Sequence, residues 1–408
     1  MRFWILSQFY VPEFGAAAVR LSRLARMLTQ DGHDVTVITS MPNYPTGLIP
    51  PSYRRRVFCT EQIDGVRVAR VLVFASPSKR ALARIANQLS FMFMSALRGT
   101  LLPRPDAILV ESHPLFVCIA GGWLKRVKRA PLVLNVSDLW PESAVATGAL
   151  RPDSPLVKLA KPVERWAYRD AARLVGMTRG VVEGIEAVYS PPHPVTLVQN
   201  AVDLDAFRPA TALERQAARA HFGIADDRFV IVHVGNMSLT YDMELILKAA
   251  ERLPEIAFLF AGGGSQFEFV RAQVEARKLT NVILLGILPH DQMPRVWAAA
   301  DATVIALRAH SVAGGTLPAK MYEGLATGTP VIAAIRGEGE TLLREADGGI
   351  VVPLDDADAM VNAAKLLASD PALRDRLAAS ARRYAEAHLS PDRVKQAYVS
   401  LLEQVANE

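Results

Sequence analysis

The sequence predicts an α/β protein made of two doubly wound, Rossmann-like halves in succession. Three observations carry that prediction. Short apolar runs alternate with helical patterns of ten or more residues from end to end, the signature of parallel strands covered on both faces. The alternation stops and restarts near residue 200, across a turn-rich, proline-ended stretch. The length, 408 residues, exceeds one ordinary core and suits two or three domains.

In the first half "FWILSQ" precedes a helical pattern from Ala16 to Gln30, and "GHDVTVITS" follows it. "DAILVES" then leads to a helix near Leu115–Lys128, "PLVLNVSD" to a helix near Pro155–Arg169, and that helix to "ARLVGMT". "VTLVQNAVDLDAFRP" (195–209) reads as a last strand and a linker, and "RFVIVHVGN" (228–236) as the next first strand. "IAFLFAGGG", "NVILLGIL", "DATVIAL" and "TPVIAAI" supply the second sheet. The expected domains are residues 1–200 and 201–387, with a C-terminal helix within 388–408 packed back on the first. A cleft is expected between the halves, and ligands sit beyond the carboxyl ends of such strands. Residues just after each strand are therefore the ones to inspect.

Half of the residues are hydrophobic and 21% are charged, a globular composition. The two cysteines, Cys59 and Cys118, stand in unrelated contexts. That excludes a disulfide scaffold and a cysteine-based zinc site, and fits a reducing compartment. The N-terminal stretch lacks the apolar run and small-residue cleavage site of a signal peptide. A net charge of +5 suits a membrane surface or a phosphorylated ligand. No finger, basic zipper or aromatic RNA-binding motif occurs, so nucleic acid is not an expected partner.

Segment 78–104, "SKRALARIANQLSFMFMSALRGTLLPR", mixes four arginines and a lysine with Leu89, Phe91, Met92, Phe93 and Met94. It is too charged to span a bilayer. It reads either as a helix lying on an anionic membrane or as a crossover helix with solvated arginines.

Gly15, followed by three alanines, lets backbone approach a ligand ahead of a helix N-terminus, or simply makes a tight turn. "AGGGSQ" (261–266) allows the same two readings. The G-x-G-x-x-G, P-loop and G-x-S-x-G motifs are absent, against a dinucleotide fold, a P-loop NTPase and an esterase elbow. His113 and Asp138 follow strands, where a base or acceptor is useful; helix capping and a structural histidine are the alternatives. The D-x-D of Asp203 and Asp205 falls in the linker and reads as turn and cap. No other acidic pair or histidine cluster has metal-ligand spacing, so the expected site needs no metal. Lys320 and Glu323 lie three apart on one helix face. Together they can form a local salt bridge. Placed after a glycine pair and past the fourth strand of the second half, they suit a ligand better: phosphate on Lys320, with backbone N–H groups of the loop Gly315, Thr316 and Leu317, and ribose hydroxyls on Glu323.

Together "FYVPEFGAAAVRLSRLARMLTQDGHDVTVITSMPNYPTG", "SDLWPES", "VQNAVDLDAFRP", "VHVGN", "GILPHDQMPRVWAAADATVIAL" and "LPAKMYEGLATGTPVIA" resemble the retaining nucleotide-sugar glycosyltransferases of family four, which have the two-Rossmann GT-B fold. "PNYPTG" and "DLWPES" look most like the branch that builds bacterial surface polysaccharides, including proteins assigned as L-fucosamine transferases of O-antigen assembly. The resemblance implies a nucleotide-sugar donor in the second domain and an acceptor held largely by the first. Glu323 matches the family's second motif glutamate and Lys320 the branch's lysine near the diphosphate. Asn236 matches the loop near the phosphates, Gly15 the N-terminal donor loop, and Ile287 and Leu288 the backbone against the base. Three positions depart from the pattern. Gly315 stands where the first motif glutamate belongs, "MSLTYDMEL" lacks the usual basic residue, and alanine follows Gly15.

The function so implied is a retaining, metal-independent hexosyl- or N-acetylhexosaminyl-transferase without a cofactor. It would move sugar from a UDP donor to a polyprenyl-diphosphate-linked saccharide. Lys320 would stabilise the leaving diphosphate, and Asp138 and His113 would orient hydroxyls. Segment 78–104 would hold the protein on the cytoplasmic face of the membrane. A GT-B nucleotide-sugar epimerase and a non-catalytic nucleotide-binding subunit are the competing readings.

Overall fold

The computed structural model describes residues 1–13, 15–78, 80–146, 150–308 and 317–408. The chain divides into two units, Met1–Asn200 with Asp392–Glu408, and Ala201–Pro391.

In the first unit the described residues form strands β1 (Arg2–Leu6), β2 (Asp34–Ser40), β3 (Phe58–Ile63), β4 (Val66–Val71), β5 (Ala107–Glu111), β6 (Leu132–Val136), β7 (Arg173–Gly176) and β8 (Thr196–Leu197). They pair in the order β3-β4-β2-β1-β5-β6-β7-β8. All neighbours are parallel except the β3–β4 hairpin. β1, β5 and β6 bury nearly every side chain because helices cover both faces of the sheet. The helix Ala16–Gln30 shows how sequence sets an element. Alanine, leucine and arginine favour it, and Ala18, Leu21, Leu24, Ala25 and Leu28 recur at helical spacing on its buried face. It ends where Gly32, at φ 87°, turns the chain so that the N–H of His33 reaches the Leu28 carbonyl.

The hairpin β3–β4 has no counterpart among the predicted strands, and the expected last strand shrinks to the two residues of β8. β3 shows why pattern alone missed it. "FCTEQI" at a sheet edge is polar and only half-buried, so no apolar run marks it. Segment 78–104 is largely the helix Ala81–Leu101. Its Phe91 and Ser95 are buried, so part of the apolar run serves the core.

One buried polar network ties this unit together. Glu111, fully buried at the end of β5, accepts from the Arg20 guanidinium (2.8 Å), from Asn135 Nδ2 (2.7 Å) and from the Ser137 hydroxyl. Asn135 Oδ1 in turn accepts from Tyr398 Oη (2.6 Å), on the C-terminal helix Pro391–Asn407.

In the second unit β9 (Val230–Val234), β10 (Ala257–Ala261), β11 (Val282–Gly286), β12 (Ala302–Ala306), β13 (Val331–Ala334) and β14 (Gly349–Val352) pair in the order β11-β10-β9-β12-β13-β14. Every neighbouring pair is parallel. β14 was not among the predicted strands. Asp203 Oδ1 accepts the N–H groups of Asp205 (3.2 Å) and Ala206 (3.0 Å), the turn that its D-x-D suggested.

Removing Arg20 strands a buried carboxylate, the costly half of a broken ion pair. Arg20→Ala is expected to destabilise the protein by about 3–5 kcal/mol in urea denaturation. A change below about 1 kcal/mol would mean that Asn135 and Ser137 suffice for Glu111.

Candidate active site

The carboxyl ends of β9, β10 and β11 are drawn together by glycine. A Cβ on Gly262 would lie 1.9 Å from the Gly235 carbonyl oxygen, and one on Gly264 would lie 2.2 Å from Asn236 Oδ1. "AGGGSQ" is therefore needed to pack against the turn after β9. Backbone bonds from the Gly235 N–H to the Ala261 carbonyl (2.7 Å) and from the Met237 N–H to the Gly263 carbonyl (2.6 Å) lock the two loops. Gln266 Nε2 adds donation to the Tyr241 carbonyl (2.9 Å). Gly235 itself sits at φ 92°, a conformation open to glycine at little cost.

Lys320 and Glu323 occupy the helix Ala319–Ala326, and they form no salt bridge with each other. Lys320 is 5% exposed, and its Nζ lies 3.1 Å from His233 Nε2 and 3.9 Å from the centroid of the Tyr241 ring. Among the described residues no carboxylate oxygen comes within 4.0 Å of that ammonium. Half-buried Glu323 instead accepts from Trp297 Nε1 (3.0 Å). Gly324 permits the approach: a Cβ there would stand 3.3 Å from Thr303 Cγ2 and 3.5 Å from the Trp297 ring. Among the described residues the arrangement leaves a cation without a carboxylate contact and a carboxylate with one side-chain donor at the strand ends.

The other expected donor-side residues fall on the same strand ends. Asn236 is exposed on the turn after β9, and Ile287, 83% exposed, and half-buried Leu288 come after β11. Leu317 is half-buried ahead of the helix. Gly315 and Thr316 lie outside the described residues. His233, Tyr241, Trp297 and Arg308 complete the cluster without having been foreseen. Arg308, two residues past β12, donates to the Gln266 side chain (3.2 Å) and the Tyr241 carbonyl (3.3 Å). Its place just beyond a strand end is the signal that could have found it. His233 sits inside a strand, where nothing distinguishes it from core.

In the first unit Gly15 precedes the helix Ala16–Gln30, and a Cβ there would meet nothing within 4 Å. His113 follows β5 with its ring stacked on Phe9, centroids 6.4 Å apart. Its Nδ1 is buried without a hydrogen-bond partner. Asp138 follows β6 and lies within electrostatic reach of His113. Asp138 keeps an exposed face; partial desolvation raises its carboxyl above the usual range, against a lowering hydrogen bond from Ser143. The structure thus brings His113 and Asp138 together at adjacent strand ends. Among the described residues no three His, Cys, Asp or Glu side chains are grouped to hold a metal.

Two family descriptions match the chain: a glycosyl transferase 4-like domain over residues 15–201 and glycosyl transferases group 1 over residues 214–384. Both halves of the chain are thus similar to glycosyltransferase domains. A D-inositol 3-phosphate glycosyltransferase of Mycobacteroides abscessus is 29% identical over 302 residues, covering 71% of this chain and 65% of that protein. The matched stretch thus spans just under two thirds of that curated relative. Sucrose-phosphate synthase from Thermosynechococcus elongatus superposes with a TM-score of 0.75 at 19% identity, over 99% of this chain and 98% of that one. HepE of Anabaena, solved with UDP and glucose, gives a TM-score of 0.73 at 15% identity over 99% of both chains. These likenesses show the fold of the chain, GT-B: two Rossmann-like, parallel-sheet domains.

The electrostatics of the lysine and the glutamate are set by burial. Burial pushes the Lys320 ammonium down to about 7, with the Glu323 charge opposing the shift. Burial likewise pushes Glu323 up to about 7, opposed by the Trp297 hydrogen bond and by Lys320. A lysine whose folded pKa lies below its unfolded value leaves the unfolded chain binding more protons between the two, so stability rises with pH across that window. Without ligand, the Lys320 contribution should therefore grow from about pH 7 to about pH 10. Lys320→Met is expected to raise the melting temperature at pH 6 and to lose that gain toward pH 10. Parallel melting curves for wild type and variant would contradict the buried-ammonium account.

Proposed function

We propose that this chain is a retaining, metal-independent glycosyltransferase that moves a hexosyl or N-acetylhexosaminyl group from a UDP-sugar to a polyprenyl-diphosphate-linked saccharide. One observation carries the reading: a buried lysine ammonium, without a carboxylate partner among the described residues, at the glycine-lined ends of β9 and β10. A buried cation left unpaired is costly, and a diphosphate anion removes that cost. Glu323, held by one donor, keeps acceptor capacity for ribose hydroxyls. HepE, a fold relative, was solved with UDP, which supports the choice of donor.

Charge grows on the diphosphate as the glycosidic bond breaks, and Lys320 stabilises it there. The departing phosphate oxygen takes the proton of the attacking acceptor hydroxyl on the same face, so the anomeric configuration is kept. His113 and Asp138 orient sugar hydroxyls. The acceptor class, and within it the surface-polysaccharide branch that includes the L-fucosamine transferases, rests on "PNYPTG" and "DLWPES". An acceptor of that kind places the protein at a lipid surface. Among the described residues no helix is long and apolar enough to cross a membrane. The helix Ala81–Leu101 instead exposes Leu89 (40%), Phe93 (67%), Leu97 (43%) and Leu101 (63%), spaced four apart on one face. Trp123, 54% exposed on the adjoining helix, bonds to Thr100 beside that stripe. Arg98 and Arg104 are held by Thr60 and the Arg129 carbonyl, which leaves less of the segment's charge free for lipid than its composition implied.

Thermal shift against UDP, GDP, ADP and dTDP tests the donor site. A nucleotide at about 100 times its Kd should add about 2.7 kcal/mol, and Glu323→Ala should abolish the effect. In turnover assays Lys320→Ala is expected to lower kcat about 10²–10³-fold, and the product should keep the donor's anomeric configuration by NMR. Absence of a shift with all four nucleotides, or an epimerised nucleotide sugar in place of a glycoside, would sink the proposal.

Membrane contact has its own test. Co-sedimentation with phosphatidylglycerol-rich vesicles should fall about tenfold or more in Phe93→Asp/Leu97→Asp, since each apolar side chain contributes about 1.5–3 kcal/mol when buried. Equal binding by wild type and variant would remove this face from the account.

A further inference from the structure

His233 is wholly buried in the middle of the second sheet, and its two ring nitrogens have different partners. Nδ1 lies 3.3 Å from the Val304 carbonyl oxygen on the neighbouring strand β12. A carbonyl can only accept, so Nδ1 carries the hydrogen. Nε2 is then a bare lone pair, and the group it faces at 3.1 Å, Lys320 Nζ, must be the donor. The Tyr241 and Phe260 rings wall the imidazole, each with its centroid 5.8 Å away. Burial first, and the Lys320 charge second, hold the imidazole well below its ordinary pKa.

The ammonium is thus fixed on two sides, by Nε2 and by the face of Tyr241. Gly235 stands on a third: a Cβ built there would lie 3.8 Å from Lys320 Cε. A carboxylate at position 233 would orient the lysine but cancel its charge. A neutral imidazole orients it and leaves the charge intact. We infer that His233 is a positioning residue for Lys320, an uncharged acceptor that presents the lysine's remaining N–H groups to the diphosphate of a nucleotide ligand without cancelling the lysine's charge. This rests on the assignment of Lys320 to the diphosphate made above.

Calorimetric titration with UDP and with uridine tests it, replaced by another nucleoside diphosphate and its nucleoside if that diphosphate stabilises the protein more. His233→Leu should weaken the diphosphate about tenfold and leave the nucleoside unchanged, because only the phosphates meet Lys320. His233→Gln should restore most of the loss, since its amide oxygen can take the place of Nε2. A merely structural histidine would weaken both ligands alike, and that result would overturn the inference. Diphosphate binding lost in Lys320→Met but untouched in His233→Leu would overturn it alone. Binding untouched in Lys320→Met would overturn the underlying site assignment as well. Should His233→Leu fail to fold, imidazole ¹⁵N shifts of the intact protein decide: a neutral Nδ1–H ring from pH 5 to 9 is expected, and an imidazolium or an Nε2–H ring refutes the arrangement.

Discussion

The hydrogen bond between Lys320 and His233 is the contact on which the strand ends of the second unit depend. A lysine that is 5% exposed has lost most of its hydration, and among the described residues its direct partners are one imidazole lone pair and one aromatic face. Glycine makes that compensation reachable. Gly235, Gly262 and Gly264 let the turns after β9 and β10 nearly touch, and Gly324 lets the lysine's own helix settle against Trp297 and Thr303. A side chain at Gly262 would drive the loops apart, and the ammonium would lose its backing. The small residues around Lys320 are thus the geometric condition for burying a cation that stays chemically available.

The first unit handles a buried charge in the opposite way. Glu111 is more buried than Lys320, yet an arginine, an amide and a hydroxyl satisfy it. Its charge is neutralised in place, and the network extends through Asn135 to Tyr398 on the C-terminal helix. Such a carboxylate has nothing left to offer a ligand. Its effect is to hold β5 and β6 in register just below His113 and Asp138. Two buried charges in one chain thus serve different ends, and what separates them is the number and sign of their partners.

Glu323 shows how a glutamate three residues from a lysine can escape it. Helical spacing puts the two on one face, but the Trp297 indole claims the carboxylate and His233 claims the ammonium. Each partner is neutral, so neither charge is quenched. Both groups are pushed toward neutrality by burial, Lys320 from above and Glu323 from below. An arriving anion beside the lysine favours its charged form.

By itself the sequence determined the alternation of strands and helices, the restart near residue 200 and the position of Lys320 and Glu323 after the fourth strand of the second half. These are local signals: apolar runs, helical spacing, and glycine or proline punctuation. β3 was illegible because an edge strand need not be apolar, whereas β4 carries buried valines in an apolar pattern that the predicted strands simply omit. β14 is a four-residue strand with Val352 as its one buried side chain. Tertiary structure alone decided that Lys320 and Glu323 do not pair. It also drew in His233 from 87 positions away in the chain and Trp297 from 26 positions away. Partner choice depends on which side chains the sheet order β9-β12 and the glycine turns bring within about 3 Å. No spacing along a single segment encodes that distance.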